Sequence, residues 1–254
     1  MKVSHVVQVK NIKIGEGLPK IAIPLTAVNI NELRNEGESV LQYPCDLIEW
    51  RGDHYEGVKD KLVRQEALTY FAQRLPSYPL LFTIRTAQEG GAMDISTDDY
   101  KHLLLSAIEA GGIDLIDVEL SRGNTVVKDI VAAAHEKGIK VIGSCHDFQK
   151  TPPKSNLVEA MCQMQELGCD IAKYAVMPHS SRDVLTLLDA SLEMNEKHGT
   201  TPVITMSMGP LGAISRICGS VFKSAITFGT AGKSSAPGQL PADKVAEILR
   251  LLAY

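Results

Sequence analysis

The sequence predicts an α/β fold, a (β/α)8 barrel in which an N-terminal β-hairpin closes the bottom of the barrel. Three observations support this prediction. Short apolar segments recur eight times, and each is followed by a segment that can form a helix. The eight units fill residues 20–254, which is close to the ~250 residues typical of such barrels. An alternating apolar segment precedes them.

The eight strand candidates are short, apolar and rich in β-branched residues, as buried parallel strands are. They are the segments 20–26, 45–51, 79–85, 113–120, 139–146, 169–176, 202–208 and 224–230. Helical character is clear in several segments that follow them, among them 58–75, 124–138 and 241–254. The regular alternation of strand and helix favours a parallel sheet covered by helices.

An open, doubly wound sheet is the alternative arrangement of such units. It usually has a glycine-rich turn after the first strand, and LTAVNINE at 25–32 has none. The preceding segment, HVVQVKNIKIG at 5–15, alternates apolar and polar residues around a turn at Asn11, which predicts the hairpin. Because no linker or low-complexity segment interrupts the chain, residues 1–254 are expected to form a single domain.

Composition and charge narrow the functional classes. Charged residues make up 22% of the chain and the net charge is −4, so the concentrated basic surface of a nucleic-acid-binding protein is not expected. The N-terminus lacks the apolar core of a signal peptide, and no apolar run reaches membrane-spanning length. We therefore expect a soluble cytoplasmic protein with no membrane partner.

The cysteines and histidines agree with an intracellular protein that has no metal site. Five cysteines form an odd set without a C-x-x-C pair, which predicts reduced, buried thiols. Seven histidines are scattered without H-x-x-x-H or H-E-x-x-H spacing, so no metal ligands are expected.

Ionisable residues gather at the carboxyl ends of the predicted strands, where barrels of this type carry their active sites. Glu49 and Arg51 are two residues apart and share a strand face, whereas Trp50 between them faces the other way. The other ionisable residues at or after these strand ends are Arg85, Glu89, Asp117, Glu119, His146, Lys173 and Arg216.

Each of these residues, taken alone, has an ordinary structural explanation: a lone strand lysine usually extends its amine to solvent, and a lone arginine usually pairs with a carboxylate. Their convergence on one barrel mouth changes that interpretation. Lys173 shares a face with Ile171 and Ala175, which the barrel turns inward.

A desolvated lysine near other cations is a nucleophile toward carbonyl groups, and a nearby His146 can move protons at neutral pH. Arginines bind carboxylates. The pattern predicts imine chemistry on a small keto acid without a metal or cofactor.

Longer motifs carry a resemblance to a known family. They are EWRGD, FTIRTAQEGG, CHDFQKTP, DIAKYAVMP, MSMGPLGAISRICGSVFKSAITFGT and SSAPGQL, which run in order from the second strand to the last helix. In these segments the chain resembles the type I 3-dehydroquinate dehydratases of the shikimate pathway, which serves aromatic amino acid biosynthesis. The resemblance implies a hydro-lyase that removes water from 3-dehydroquinate by syn elimination to give 3-dehydroshikimate.

The resemblance also implies roles for individual residues. Lys173 would form the Schiff base with the C3 ketone, His146 would shuttle protons, and Glu89 would orient His146. Arg216 would bind the substrate carboxylate. The remaining substrate-binding residues would be Glu49, Arg51 and Arg85 at the ring hydroxyls and Ser235 and Gln239 in a lid loop. Members of the family are usually homodimers, which implies the same for this chain.

Three positions depart from the pattern expected of the family. Cys145 precedes the histidine where an aromatic residue is expected, and Gly52 follows EWR where an apolar residue is expected. Tyr174 is bulkier than the isoleucine expected after the lysine. Strand alternation predicts that Tyr174 points away from the mouth, toward the helices.

Two other functions remain open at this point. A class I Schiff-base aldolase acting on a phosphorylated sugar would also use a barrel lysine, and GTAGK at 229–233 could hold a phosphate. A catalytically inactive barrel that serves as a binding module is the other alternative. The combination of Lys173, His146 and Glu89 argues against the inactive barrel.

Overall fold

A curled parallel sheet forms the centre of the molecule and confirms the predicted α/β barrel. The computed structural model of the chain describes residues 6–232 and 234–253. Within these residues, consecutive strands pair in parallel from β3 through β9, and β10 pairs with β3. The strands are β3 (Lys20–Leu25), β4 (Leu47–Arg51), β5 (Leu80–Thr83), β6 (Leu115–Glu119), β7 (Lys140–Asp147), β8 (Ile171–Val176), β9 (Val203–Ser207) and β10 (Ile226–Thr230).

The barrel closes between β9 and β10 through a short, irregular contact. Val203 forms an isolated parallel bridge with Ser224, and the Ala225 amide donates to the Val203 carbonyl at 2.8 Å. The Ser224 hydroxyl oxygen accepts the Thr205 amide at 3.0 Å, so a side chain replaces one backbone partner in the ladder. A two-residue strand, β11 (Leu240–Pro241), extends the sheet beside the end of β10 and was not predicted.

Helices cover the outside of the sheet. They are α1 (Ile30–Val40), α2 (Lys61–Arg74), α3 (Thr97–Ala110), α4 (Asn124–Glu136), α5 (Lys154–Glu166), α6 (Ser181–Glu193), the short α7 (Gly209–Gly212) and α8 (Gly219–Phe222), and α9 (Ala242–Leu251). Among the helices in these ranges, none combines the length and the apolar character needed to span a bilayer.

The predicted hairpin lies against the amino-terminal ends of the barrel strands. Its strands, β1 (Val7–Val9) and β2 (Ile12–Ile14), pair antiparallel, and their apolar side chains belong to the same buried cluster as the barrel interior. The Lys10 ammonium donates to the carbonyls of Pro76 and Tyr78, which precede β5. The hairpin therefore closes the bottom of the barrel; His5, the first residue of the predicted segment, lies outside the described residues.

Side chains that point into the barrel form layers that differ in polarity. The lower layer is apolar and continuous with the hairpin cluster; it contains Leu47, Leu81, Leu115, Ile142, Ile171, Ile204 and Ile226. The next inward position on each strand is two residues later, because strand side chains alternate. These positions hold Glu49, Thr83, Asp117, Ser144, Lys173, Met206 and Phe228. The interior thus turns from apolar to mostly polar toward the carboxyl ends of the strands.

The opposite strand faces pack against the helices. Trp50 and Tyr174 both belong to the outer apolar core, as the alternation predicted. Gly52 begins the turn after β4, and a β-carbon at this position would lie 2.7 Å from Phe82 Cε2 and 3.0 Å from Ile84 Cδ1. Phe82 and Ile84 therefore fill the space that an apolar residue at position 52 would occupy.

Replacing Gly52 with valine should destabilise the fold. The added methyl groups would press on the fully buried Phe82 ring, and overpacking of a core costs about 1–3 kcal/mol. Urea unfolding would measure the loss. Ala132→Val, which adds a similar group to the exposed face of α4, should cost less than about 1 kcal/mol. Equal stability of Gly52→Val and the unsubstituted protein would contradict this packing argument.

Candidate active site

One pocket at the carboxyl ends of the strands brings together every candidate site residue named from the sequence. The three residues predicted to be catalytic, Lys173, His146 and Glu89, line its wall. The predicted substrate-binding residues also line it; they are Glu49, Arg51, Arg85, Arg216, Ser235 and Gln239. These residues come from six different strand ends and loops, so only the closed barrel brings them together.

Lys173 lies in the middle of β8 and is only 4% exposed. Its Nζ donates to Asp117 Oδ2 at 3.1 Å and lies 4.0 Å from Glu49 Oε1. The same nitrogen sits 4.7 Å from the centre of the Phe228 ring, a cation–π contact. The amine is therefore held in a largely apolar wall by one close carboxylate and one aromatic face.

Asp117 joins Lys173 to a second buried cation. Asp117 Oδ1 accepts from Arg85 Nη2 at 2.8 Å and from the Ser144 hydroxyl at 2.6 Å. Arg85 also donates to Glu119 Oε1 at 2.9 Å. Burial alone would raise the pKa of Asp117, but Arg85 and Lys173 hold it below its usual value. Although burial alone would lower the pKa of Arg85, Asp117 and Glu119 raise it. Both groups are therefore ionised at neutral pH.

His146 and Glu89 form a second, separate pair. The Nδ1 atom of His146 lies 2.9 Å from Glu89 Oε2, while Ser121 Oγ donates to the other oxygen, Oε1, at 2.5 Å. Because Nδ1 is occupied by the carboxylate, Nε2 is the ring nitrogen left for a molecule in the pocket. Glu89 sits in a 3-10 turn (Ala87–Glu89) that follows β5.

Burial moves both members of this pair toward their neutral forms. Desolvation, together with the nearby Arg85, Lys173 and Arg51 cations, lowers the pKa of His146 well below its ordinary value. Desolvation, with Glu119 and Asp117 adding to it, raises the pKa of Glu89 to about 7, although Arg85, 3.5 Å away, and Ser121 lower it. His146 is therefore a neutral base at physiological pH, ready to accept a proton.

Arg51 and Glu49 have close neighbours on their own wall. Arg51 donates through Nε and Nη2 to both oxygens of Asp53, each at 2.7 Å. Glu49 Oε1 accepts the Thr83 hydroxyl at 2.9 Å. The bidentate contact fixes the guanidinium plane of Arg51 at the edge of the pocket. Asp53 follows Gly52 directly, so the tight packing at Gly52 positions the carboxylate that holds Arg51.

Arg216 differs from the other cations of the pocket because no carboxylate among the described residues pairs with it. Its side chain is 2% exposed, and burial lowers its pKa to about 10. Nη2 donates to the Pro237 carbonyl at 3.0 Å, and Nε has no hydrogen-bond partner among the described residues. A buried guanidinium in this condition is suited to bind an anion that enters the pocket.

The loop after β10 covers the pocket beside Arg216. Ser235 and Gln239 bond to each other: the Ser235 amide donates to Gln239 Oε1 at 2.8 Å, and Gln239 Nε2 donates to Ser235 Oγ at 2.9 Å. The Gly209 amide donates to the Pro237 carbonyl at 3.2 Å, which attaches the loop to the end of β9. Lys233, the last residue of the GTAGK segment considered for phosphate binding, lies outside the described residues.

The sequence pattern assigns no role to several residues of the site. It predicts Asp117 only as an ionisable residue at a strand end, and the predicted site does not include Thr83, Ser144 or Phe228. Strand alternation could have found Ser144, which is two residues before His146, because both then face inward. Ser121 lies in a turn after β6, where no periodic pattern indicates the direction of a side chain.

The unexpected residues Cys145 and Tyr174 are opposite each other on β7 and β8. Burial raises the pKa of the Cys145 thiol to about 11. The small thiol leaves room for the tyrosine ring, so the two departures compensate each other outside the pocket. No group of three or more His, Cys, Asp or Glu in the described part of the chain is arranged to hold a metal ion.

Comparisons with known proteins identify a family for the chain. The family model described as type I 3-dehydroquinase matches residues 21–254. A 3-dehydroquinate dehydratase of Clostridium kluyveri is 46% identical over 249 residues, which cover 98% of each protein. One from Klebsiella pneumoniae is 43% identical over 250 residues, which cover 98% of this chain and 100% of the relative.

A crystal structure of the type I enzyme from Clostridium difficile, with covalently modified comenic acid, has a TM-score of 0.94 and 45% identity and covers 98% of both chains. By contrast, a 3-hexulose-6-phosphate synthase is 14% identical with a TM-score of 0.59, covers 92% of this chain and 100% of that chain, and shows only a shared fold. The comparisons thus favour the dehydratase over the sugar-phosphate aldolase. The match to the family model, the identity to these relatives and the shared barrel show that the chain belongs to the type I 3-dehydroquinase family, the Schiff-base hydro-lyases that convert 3-dehydroquinate to 3-dehydroshikimate in the shikimate pathway.

Proposed function

We propose that Lys173 is the amine that forms the Schiff base in this chain. The observation that carries the proposal is its position: a buried lysine in an apolar strand, facing the pocket, with its ammonium nitrogen close to Asp117, Glu49 and the Phe228 ring. Nucleophilic attack on the C3 ketone requires the neutral amine, so the ammonium of Lys173 first transfers a proton to the neutral His146, while Asp117, 3.1 Å away, holds Nζ in a fixed direction. Addition of Nζ to C3 and transfer of a proton from this nitrogen to the C3 oxygen give the carbinolamine. The protonated His146 then returns its proton to that hydroxyl, which leaves as water to give an iminium ion.

His146 is the proton shuttle in this mechanism. As a neutral base it removes a proton from C2, and the electron pair moves into the iminium to form an enamine. The same imidazolium then protonates the C1 hydroxyl, which leaves as water when the enamine electrons return. Hydrolysis of the product imine releases 3-dehydroshikimate and the free amine of Lys173. A base that acts on one face accounts for syn elimination.

Glu89 supports this step by holding Nδ1, so that Nε2 carries the working lone pair. Arg216 binds the substrate carboxylate, and its lack of an anionic partner among the described residues supports this role. Glu49, Arg51 and Arg85 bind the ring hydroxyls, and Ser235 and Gln239 exchange their mutual hydrogen bonds for bonds to substrate when the loop covers it.

The chain acts as one domain and as a homodimer. Half-exposed apolar side chains on neighbouring elements support the dimer: Leu185 lies on α6, Leu211 and Ile214 follow β9, and Val221 lies on α8. Exposed apolar side chains that lie on neighbouring elements are typical of protein interfaces. Five free cysteines support a reducing compartment such as the cytoplasm.

Borohydride reduction in the presence of 3-dehydroquinate should trap a stable adduct on Lys173. Reduction of the imine removes the bond that water would hydrolyse, so the mass of the chain should rise and peptide mapping should locate the adduct in residues 169–176. Lys173→Met should take up nothing, whereas Lys128→Met, at an exposed position, should be labelled normally. An unmodified mass for the unsubstituted protein would exclude the imine mechanism.

His146→Ala should abolish dehydration more completely than it abolishes imine formation. Loss of a general base costs about 10²–10⁴-fold in turnover, while the amine remains able to attack the ketone. Growth of the ultraviolet absorbance of the conjugated product would measure turnover, and borohydride trapping would measure the imine. His102→Ala, at an exposed position on α3, is the control. Near-normal turnover of His146→Ala would refute the shuttle.

Arg216→Ala should mainly weaken substrate binding. A charge-assisted hydrogen bond to a carboxylate corresponds to about 10- to 100-fold in affinity, so KM should rise by this factor with a smaller change in kcat. Steady-state kinetics would test it, with Arg250→Ala on the exposed face of α9 as the control. An unchanged KM would contradict the carboxylate-binding role.

Sedimentation equilibrium should give a mass near twice the 27.6 kDa of one chain. Leu185→Asp should shift the protein toward the monomer, because it places a charge in the proposed interface. Leu62→Asp, at an 80% exposed position on α2, should not. A monomeric unsubstituted protein would rule out the dimer.

A further inference from the structure

The turn that follows β6 lies against the turn that carries Glu89. In this 3-10 turn (Leu120–Arg122), Ser121 Oγ donates to Glu89 Oε1 at 2.5 Å. Arg122 Nη2 donates to the Thr86 hydroxyl at 2.8 Å and to Gln88 Oε1 at 2.9 Å. Two consecutive residues thus hold side chains of the Glu89 turn: Arg122 binds those of Thr86 and Gln88, and Ser121 binds the carboxylate of Glu89.

The two oxygens of Glu89 have different partners. Oε1 accepts from Ser121, and Oε2 faces His146 Nδ1 at 2.9 Å. With one oxygen fixed at each end, the carboxylate cannot rotate without losing a hydrogen bond. Glu89 is only 4% exposed, whereas Ser121 is exposed, so the hydroxyl reaches inward from the protein surface to a buried acid.

We infer that Ser121 is a positioning residue for the proton shuttle, holding Glu89 ionised and aimed at Nδ1 of His146. The inference rests on the proposed role of His146 as the base. When Glu89 is ionised, it accepts a hydrogen bond from the Nδ1–H group of His146, so Nε2 keeps its lone pair toward the pocket. When Glu89 is protonated, its own hydroxyl donates to Nδ1, the ring proton moves to Nε2, and the base is lost.

The charges around Glu89 leave its protonation state sensitive to one hydrogen bond. Burial raises the pKa of Glu89 to about 7, Arg85 and Ser121 lower it, and Glu119 and Asp117 raise it. Removal of the Ser121 hydroxyl would therefore raise the pKa of Glu89 further and favour its protonated form. The titratable and charged groups near the Glu89–His146 pair are Arg51, Arg85, Asp117, Glu119 and Lys173 on the inside of the barrel and Cys145 and Tyr174 on the side of the helices.

The pH profile of kcat for Ser121→Ala tests the inference. Loss of the hydroxyl should move the acid limb of the profile upward by about half to one pH unit, the size expected for one hydrogen bond. Turnover should therefore fall several-fold on the acid limb and match the unsubstituted enzyme at alkaline pH. Ser121→Thr, which retains a hydroxyl, should restore the original limb.

Ser155→Ala is the matched control, because it removes a hydroxyl from an exposed position at the start of α5, where the hydroxyl donates to Asn156 Oδ1 at 3.2 Å. Its profile should not move. An unshifted limb in Ser121→Ala, or an equal loss of kcat at every pH, would overturn the inference. Near-normal turnover of His146→Ala would instead refute the proposed shuttle itself, so the two failures are distinguishable.

Discussion

The buried contact that joins Arg85, Asp117 and Lys173 is the constraint on which the rest of the barrel mouth depends. An isolated ammonium group within a strand that is apolar on both faces would be too costly to keep charged. Asp117 meets Lys173 at 3.1 Å and Arg85 at 2.8 Å, and each cation lowers the cost of burying the carboxylate. Removal of Asp117 would leave two buried cations facing each other, so the position of the amine and the charge of the pocket are set together.

The other charges of the site follow from that contact. Arg85 makes its short contacts with Asp117 and Glu119, and its contact with Glu89 is longer, at 3.5 Å. Burial then dominates at Glu89, raises its pKa and makes its ionisation dependent on Ser121. Burial, together with Arg85, Lys173 and Arg51, lowers the pKa of His146 and keeps it neutral. Arg216, on the opposite side and beside the lid loop, remains the cation best suited to an incoming carboxylate.

Much of the fold and the site was predictable because it depends on strand periodicity. The alternation that places Leu47, Leu115 and Ile171 inside the barrel also places Glu49, Asp117 and Lys173 inside, two residues later. It correctly directed Trp50 and Tyr174 toward the helices. The irregular closure at Ser224 and the short β11 were not predictable, because side-chain and two-residue pairings leave no periodic pattern.

The sequence by itself determined which predicted strands end in polar residues, which family the chain resembles and which nine residues are candidates for the site. These depend on local periodicity and on long, ordered motifs. Only the tertiary structure decided which ionisable groups pair. Asp117 lies 56 residues from Lys173 along the chain, and Ser121 lies 32 residues from Glu89. Contacts of that span depend on the curvature of the closed barrel and on the paths of its loops, and hydrogen bonds and burial at those contacts then determine which group holds a proton.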